Sequence, residues 1–548
     1  MEGIVVTGAA VLSLAGLLAA CHIPLGTWMY RVFTDDRDWK VERVVYRLVG
    51  VDARTEQTWT RYAVSAWAFA LVSVGALFLL IMGQRWMPWS QGRSMSWHTA
   101  LNTAVSFVTN TNWQSYSGEA GAGYVVQAVG LTVQNFASAA MGLAIAITLV
   151  RGLARSGTDR IGNFWVDLVR GTVRVLLPLA WVAAVLLLIS GVIQNFTDPF
   201  VVSTVSGGSQ VVQGGPVASQ EAIKILGTNG GGFFSANSSH PFENPNAWTN
   251  LFQIFLLLLI PFSLPYTFGL MVGRRRQAMV LTATMGALLA SSMVLTAWAE
   301  YSAAGGPLGS MEGKEQRFGL GWSAVFAAAT TGTSAGAVNS MHSSYSALGG
   351  GVPLVNMMLG EVSPGGVGTG LYNLLLLVVL TVFIAGLMVG RTPELLGKSV
   401  GRREITIVAL SVVVTPTLIL LGTGVAMLLP DATDALLNDG PHGLTEMMYA
   451  FTSASNNNGS AFAGLSADQP FLNLSLSVCM FAGRFGTIVL VLALAGAFAV
   501  QRRRPVTSGT MPTDTPLFTI LLLVTALVIA GLTFFPALAL GPIAEALS

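Results

Sequence analysis

The chain has 548 residues, of which 53% are hydrophobic and only 10% charged, and its mean hydropathy is +0.64. Soluble domains carry about 25% charged residues, so this composition excludes an ordinary soluble enzyme and indicates an all-α polytopic membrane protein. The net charge of +2 gives no basic patch for nucleic acid, and two cysteines, Cys21 and Cys479, cannot build a disulfide framework or a zinc site.

A membrane-crossing helix needs about 20 consecutive apolar residues. Runs of that kind predict ten spans, near 4–24, 62–83, 121–150, 171–194, 250–272, 279–299, 371–390, 404–429, 470–499 and 517–540. The first contains Leu18-Ala19-Ala20-Cys21, which resembles a lipoprotein processing box. No Lys or Arg precedes Arg31, whereas a signal peptide starts with positive charge, so 4–24 reads as a retained span. The third and ninth runs are over-long, which predicts tilt or a break.

Four short polar stretches follow short, less apolar segments, and each lies between an even span and the next odd one. Ser94–Val108 precedes Thr109-Asn110-Thr111-Asn112, and Val217–Leu226 precedes Thr228-Asn229-Gly230-Gly231. Gly319–Thr330 precedes Thr331-Gly332-Thr333-Ser334, and Gly443–Ala454 precedes Asn456-Asn457-Asn458-Gly459. The unit is therefore span, pore helix, filter loop, span. Residues 1–61 hold the first span and its loop; 62–160, 161–276, 277–402 and 403–504 form four pore repeats around a pseudo-four-fold axis; 505–548 hold the last span. In the third repeat Gly349-Gly350-Gly351 and the run from Gly360 to Gly370 bracket a short apolar segment. That pattern predicts a broken helix of the kind that borders ion paths, a long external loop being the alternative.

Positive charge fixes the orientation. The odd-to-even loops carry Arg31, Arg37, Lys40, Arg43, Arg47, Arg54 and Arg61; Arg151, Arg155, Arg160 and Arg170; Arg274–Arg276; Arg391, Lys398, Arg402 and Arg403; and Arg502–Arg504. Only Arg85, Arg93, Arg174, Lys224, Lys314, Arg317 and Arg484 fall elsewhere. The positive-inside rule then puts both termini outside and brings every polar stretch in from outside.

Polar, permissive backbone at membrane depth is tolerated where it is buried in protein or lines a water-filled cavity. Rings of carbonyls can replace a cation's hydration shell, and pore helices ending at them add partial negative charge. The carbonyls of Thr109–Asn112, Thr228–Gly231, Thr330–Thr333 and Asn456–Gly459 are the predicted ligands. No carboxylate lies among them, whereas calcium sites recruit acidic oxygens, so the expected ion is potassium, with sodium second. Arg484 is the lone basic residue of the ninth span and is read as a barrier beneath the filter, a structural counter-charge being the alternative. Gln114 is expected at the pore mouth, or as a surface amide.

The runs Phe107–Glu119, Leu226–Pro245 (LGTNGGGFFSANSSHPFENP), Thr331–Gly336 and Ser453–Gly464 resemble the four filter regions of the KdpA family. KdpA is the potassium-binding subunit of the bacterial Kdp potassium-transporting ATPase, within the superfamily of potassium transporters. The likeness runs over essentially the whole chain and is weakest in the third loop. It implies three partner proteins in the inner membrane, namely the P-type ATPase KdpB, KdpC and the small KdpF, with lipids around them and no nucleic acid. It implies ATP hydrolysis on KdpB, potassium passed on through an intersubunit tunnel, no organic cofactor, and Glu361 near the tunnel entrance, a solvated loop acid being the bland reading. The sequence agrees with a non-catalytic role: Gly397-Lys398-Ser399 lacks the glycine a phosphate loop needs, since Thr392 stands there. Two rivals are a stand-alone potassium channel or sodium-coupled symporter, separable by whether a phosphorylating partner copurifies, and a transporter of an organic solute, separable by ion-dependent stabilisation without solute.

Overall fold

The computed structural model describes residues 2–303, 310–505 and 510–548. Among these, ten helices are long and apolar enough to cross a membrane: Thr7–Thr34, Trp59–Met82, Val126–Ala154, Phe164–Ile189, Ala247–Val272, Arg275–Ser302, Thr369–Met388, Arg402–Ala426, Pro470–Val500 and Pro516–Leu547. They are numbered here as spans 1 to 10. Four shorter helices, Trp97–Val108, Val217–Leu226, Gly319–Gly332 and Gly440–Asn456, fall between spans 2 and 3, 4 and 5, 6 and 7, and 8 and 9. These are re-entrant helices 1 to 4. Among the described residues, sheet is confined to three two-stranded ribbons in the connections.

Burial separates the centre from the rim. In span 3, 83% of the most apolar window is inside the protein, against 6% in span 1 and 22% in span 10. Span 3 can occupy the centre because Ala139, Ala140, Gly142, Ala144 and Ala146 let neighbouring backbones approach closely. Its start is a π-turn, Val126–Leu131, which accounts for part of its excess length. The ninth span, also over-long, is one unbroken helix.

Span 1 runs ten residues past its predicted end, with Pro24 inside the helix. Span 5 supports that stretch. A β-carbon on Gly26 would stand 2.7 Å from Ser263 O, and Thr267 Oγ1 donates to Gly26 O at 3.0 Å. The packing leaves no room at this position. Gly26→Leu is therefore expected to detach span 1 from span 5 and lower the melting temperature in detergent by several degrees, of the order that a few kcal/mol produces.

The third unit contains the expected broken helix. Ala347–Met358 is followed by a non-helical segment, 359–368, and then by span 7. On the side bearing the basic loops, ion pairs stitch the helix ends together: Arg174 to Glu42 at 2.5 Å and Asp35 at 2.8 Å, Arg170 to Asp38 at 2.9 Å, and Arg151 to Asp167 at 2.5 Å.

Candidate ion-binding site

Each re-entrant helix ends with the same bond. The amides of Thr111, Asn229, Ala335 and Asn458 donate five residues back, to Ser106 O (2.9 Å), Lys224 O (2.9 Å), Thr330 O (3.2 Å) and Ser453 O (2.8 Å). Left-handed backbone then follows at alternate residues: Asn110 and Asn112 (φ 68° and 57°), Ser334 and Gly336 (53° and 72°), and Asn457 and Gly459 (61° and 99°). Alternating left- and right-handed residues turn successive carbonyls toward one side. In the second loop the left-handed residues, Thr228 and Gly231, are separated by two positions rather than one, so it is longer by a residue.

The loops meet. A β-carbon on Gly230 would lie 2.8 Å from Ala335 O, 2.9 Å from Thr111 O and 3.1 Å from Asn458 O, one oxygen from each of the other three loops. These carbonyls accept no hydrogen bond among the described residues. Neighbouring loops are also tied pairwise. Asn110 Nδ2 donates to Thr228 O at 2.9 Å, Asn457 Nδ2 to Thr111 Oγ1 at 2.9 Å, and Asn458 Nδ2 to Thr330 O at 3.2 Å. Beside Gly230, three backbone oxygens from three different loops converge without any carboxylate among them, whereas calcium sites recruit acidic oxygens. Such a shell suits a large monovalent cation.

One register differs from expectation. Thr330, Thr331 and Gly332 are the last turn of re-entrant helix 3, and the loop equivalent to the other three is Thr333–Gly336. The helix continues because Ala327–Ala329 are strong helix formers and Gly332 is pressed against Ser363, where a β-carbon would stand 2.1 Å from the carbonyl oxygen. Thr330 O is occupied by the Ala335 amide and the Asn458 side chain. Asn456 likewise closes re-entrant helix 4, leaving Asn457–Gly459 as loop. Thr109, Asn110, Thr111, Asn112, Thr228, Asn229, Gly230 and Gly231 all lie just beyond their helices, but the Gly231 carbonyl already accepts from Asn237 Nδ2.

The supporting shell was not anticipated from the sequence. Asn135 and Ser138 on span 3 hold the loop side chains away from the centre: Asn112 Nδ2 donates to Asn135 Oδ1 at 2.9 Å, and Ser138 Oγ to Asn110 Oδ1 at 2.7 Å. Their spacing of three within an apolar helix was the available signal. Behind the second loop, Lys224 Nζ is buried against Glu221 (2.6 Å), Glu243 (3.0 Å) and Asn237 Oδ1 (2.9 Å), and Asn237 in turn holds Gly231. Removing one partner from a buried ion cluster typically costs about 3–5 kcal/mol. Lys224→Met is expected to destabilise the protein by that order, read as a lower thermal midpoint in detergent, and to weaken cation-dependent stabilisation with it.

Outside the loops a vestibule of about 1010 Å³ opens on the face opposite the basic loops, lined by Asn112, Gln114, Glu119, Gly231, Gly459 and Asp468 among others. Gln114 clamps the first loop to the second: Gly232 N donates to its Oε1 at 2.9 Å, and its Nε2 donates to Gly232 O at 3.2 Å. Glu119 and Asp468 on its wall have no Lys or Arg within ion-pair distance among the described residues, Asp468 facing His98 at 3.9 Å, and Lys314 on the same wall is paired with Glu300 at 2.9 Å. Burial and the Lys314 charge push the His342 imidazole on this wall down to about 3, so it adds no positive charge.

On the other side of the loops lies the broken segment. Val367 N donates to Thr228 Oγ1 at 2.9 Å, and a β-carbon on Gly366 would be 2.9 Å from Thr333 O. Glu361 is 2% exposed, not a solvated loop acid, and accepts from Asn458 Nδ2 at 2.8 Å. Arg484 is also 2% exposed; its Nη2 donates to Ser138 O at 3.4 Å and lies 3.3 Å from where a β-carbon of Gly142 would stand. It is one turn beyond Met480, whose carbonyl accepts from Asn457, and so sits toward the basic face.

Residues 12–547 match the family described as Potassium-transporting ATPase A subunit, KdpA. A Kineococcus radiotolerans protein named potassium-transporting ATPase potassium-binding subunit is 58% identical over 537 residues, covering 97% of this chain and 96% of that protein. Its namesake from Clavibacter michiganensis subsp. michiganensis is 55% identical over 548 residues, covering 98% of each. The crystal structure of the potassium transporter TrkH from Vibrio parahaemolyticus shares the fold, with a TM-score of 0.53 at 15% identity over 88% of this chain and 97% of that one. With a match that spans nearly its full length and relatives this similar, the chain belongs to the KdpA family of potassium-transporting ATPase A subunits.

Proposed function

We propose that this chain is the potassium-binding, pore-forming subunit of an ATP-driven potassium uptake complex. The observation that carries this reading is the Gly230 position, enclosed by free carbonyl oxygens from the other three loops. Potassium reaches the loops from the vestibule, loses its water to carbonyls of Thr109–Asn112, Thr228–Gly230, Thr333–Gly336 and Asn457–Gly459, and meets Arg484 beneath. The four pore repeats are 62–160, 161–276, 277–402 and 403–504. Glu361, bonded to the loop residue Asn458, offers a carboxylate where the ion leaves the axis toward a partner.

This subunit is the non-catalytic component, and ATP is hydrolysed on a partner chain. The partners in this reading are the P-type ATPase KdpB, KdpC and the small KdpF, in the bacterial inner membrane, with the basic loops in the cytoplasm and both termini periplasmic. The stand-alone channel or symporter is not favoured, because relatives matched over nearly their whole length are named as ATPase subunits.

The test is ion-dependent thermal stabilisation of the purified chain without any solute. At a hundred times the dissociation constant, bound potassium adds about 2.7 kcal/mol, so the melting temperature rises by several degrees. Sodium at the same concentration is expected to give a smaller rise. Equal stabilisation by both ions, or none by either, would overturn a potassium-selective site.

A further inference from the structure

We propose that the helix Lys40–Val49, in the loop after span 1, lies in the bilayer interface on the basic side and is held there by anionic phospholipid. The helix has three distinct faces. Glu42 and Tyr46 are buried against the protein. Val41, Val44, Val45 and Leu48, spaced i, i+3, i+4 and i+7, form an apolar stripe, with Val41 59%, Val44 54% and Leu48 82% exposed. Lys40, Arg43 and Arg47 line the third face and form no ion pair among the described residues. A helix with an apolar stripe beside a row of cations is the pattern of one that lies in a membrane surface.

Depth selects lipid over water. Glu42 is bonded to Arg174 of span 4 at 2.5 Å, and the Arg174 carbonyl accepts from Trp28 Nε1 at 3.0 Å. Trp28 lies inside span 1, six residues before its end at Thr34, roughly 9 Å in along the axis. The amphipathic helix is therefore docked at the level of the span ends rather than beyond them. Its apolar stripe continues a membrane-facing surface, since Leu177 and Trp181, one and two turns from Arg174, are 49% and 70% exposed. Trp39, at the start of the helix, stacks over the Arg174 guanidinium at 4.9 Å, an aromatic at the height where interfacial tryptophans collect. Charge then selects the lipid. Three unpaired cations beside an exposed apolar stripe match phosphate headgroups of negative net charge.

The test uses the assembled complex in nanodiscs of phosphatidylcholine, with or without phosphatidylglycerol. A nitroxide is attached at Val44→Cys in a background in which Cys21 and Cys479 are alanine. The expected result is that collisions with oxygen exceed those with a water-soluble nickel chelate, and that the excess grows severalfold with phosphatidylglycerol. Lys40→Gln, Arg43→Gln and Arg47→Gln together are expected to abolish that growth. A nitroxide open to the chelate would place the stripe in water, and one shielded from both reagents would place it under a protein partner; either overturns the proposal. A triple variant that still responds to phosphatidylglycerol would overturn the role of the cations. Leu48→Cys gives the same readings should Val44→Cys fail to assemble.

Discussion

Gly230→Ala is expected to weaken potassium binding at least about 100-fold, equivalent to ~2.7 kcal/mol, and to lower the melting temperature while the complex still assembles. Glycine stands at this position for space rather than conformation. Its φ lies outside the left-handed region, so the backbone conformation itself accepts alanine and only the space forbids it. The added methyl carbon would instead occupy the point lying 2.8, 2.9 and 3.1 Å from Ala335 O, Thr111 O and Asn458 O. Those oxygens cannot retreat cheaply, because the amides of Ala335, Thr111 and Asn458 are pinned to the helix ends. Gly230→Asp adds a carboxylate as well and is expected to relax discrimination between potassium and sodium. Tracer uptake against external potassium measures both effects, alongside potassium-dependent melting of the purified protein. An unchanged apparent affinity in Gly230→Ala would remove this position from the site. Gly231→Ala is the contrasting case: its φ of 66° strains any other residue by about 1–2 kcal/mol, so the backbone itself is expected to lower stability as well as affinity.

Most of the architecture was legible in the sequence because apolar runs of bilayer length have few alternatives. Re-entrant helix 2 begins and ends where the sequence placed it, at Val217 and Leu226. Span 1 continues past the run near 4–24 to Thr34, through Pro24, which a membrane helix accommodates when neighbouring helices pack against it. The third loop was misread. Thr331-Gly332-Thr333-Ser334 has the composition of the other loops, yet local composition does not say where a helix ends. Contact with Ser363, thirty residues away, extends the helix through Gly332. The same distance in sequence hid the supporting shell. Asn135 and Ser138 hold loops that begin about 25 and 90 residues from them, and Lys224 reads as a helix-surface charge until Glu243 and Asn237 fold over it. Residue types chosen for the loops were recoverable from chemistry; the partners that orient them were recoverable only from the fold.

Arg484→Gln is expected to raise passive potassium flux through the complex without changing the affinity of the outer site. Arg484 is buried in span 9 and has no carboxylate within ion-pair distance among the described residues, the nearby buried acid Glu361 acting on it only through longer-range attraction. Its guanidinium reaches Ser138, the same residue whose hydroxyl braces Asn110 in the first loop. An ion moving straight on from the loops must therefore approach a buried cation that holds no direct ion pair, in a medium of low polarity. At an effective dielectric constant of about 20, a like charge about 8 Å away costs ~2 kcal/mol, or roughly thirtyfold in rate. Glutamine keeps a hydrogen bond donor for the Ser138 carbonyl but removes this repulsion. Proteoliposomes loaded with potassium and given no ATP should then leak at a rate approaching that factor above wild type, and Arg484→Lys should stay tight because it keeps the charge. Thermal stability separates the alternative: a protein that melts lower but does not leak would mark Arg484 as a packing element, and no change in leak or coupling would end its role as a barrier.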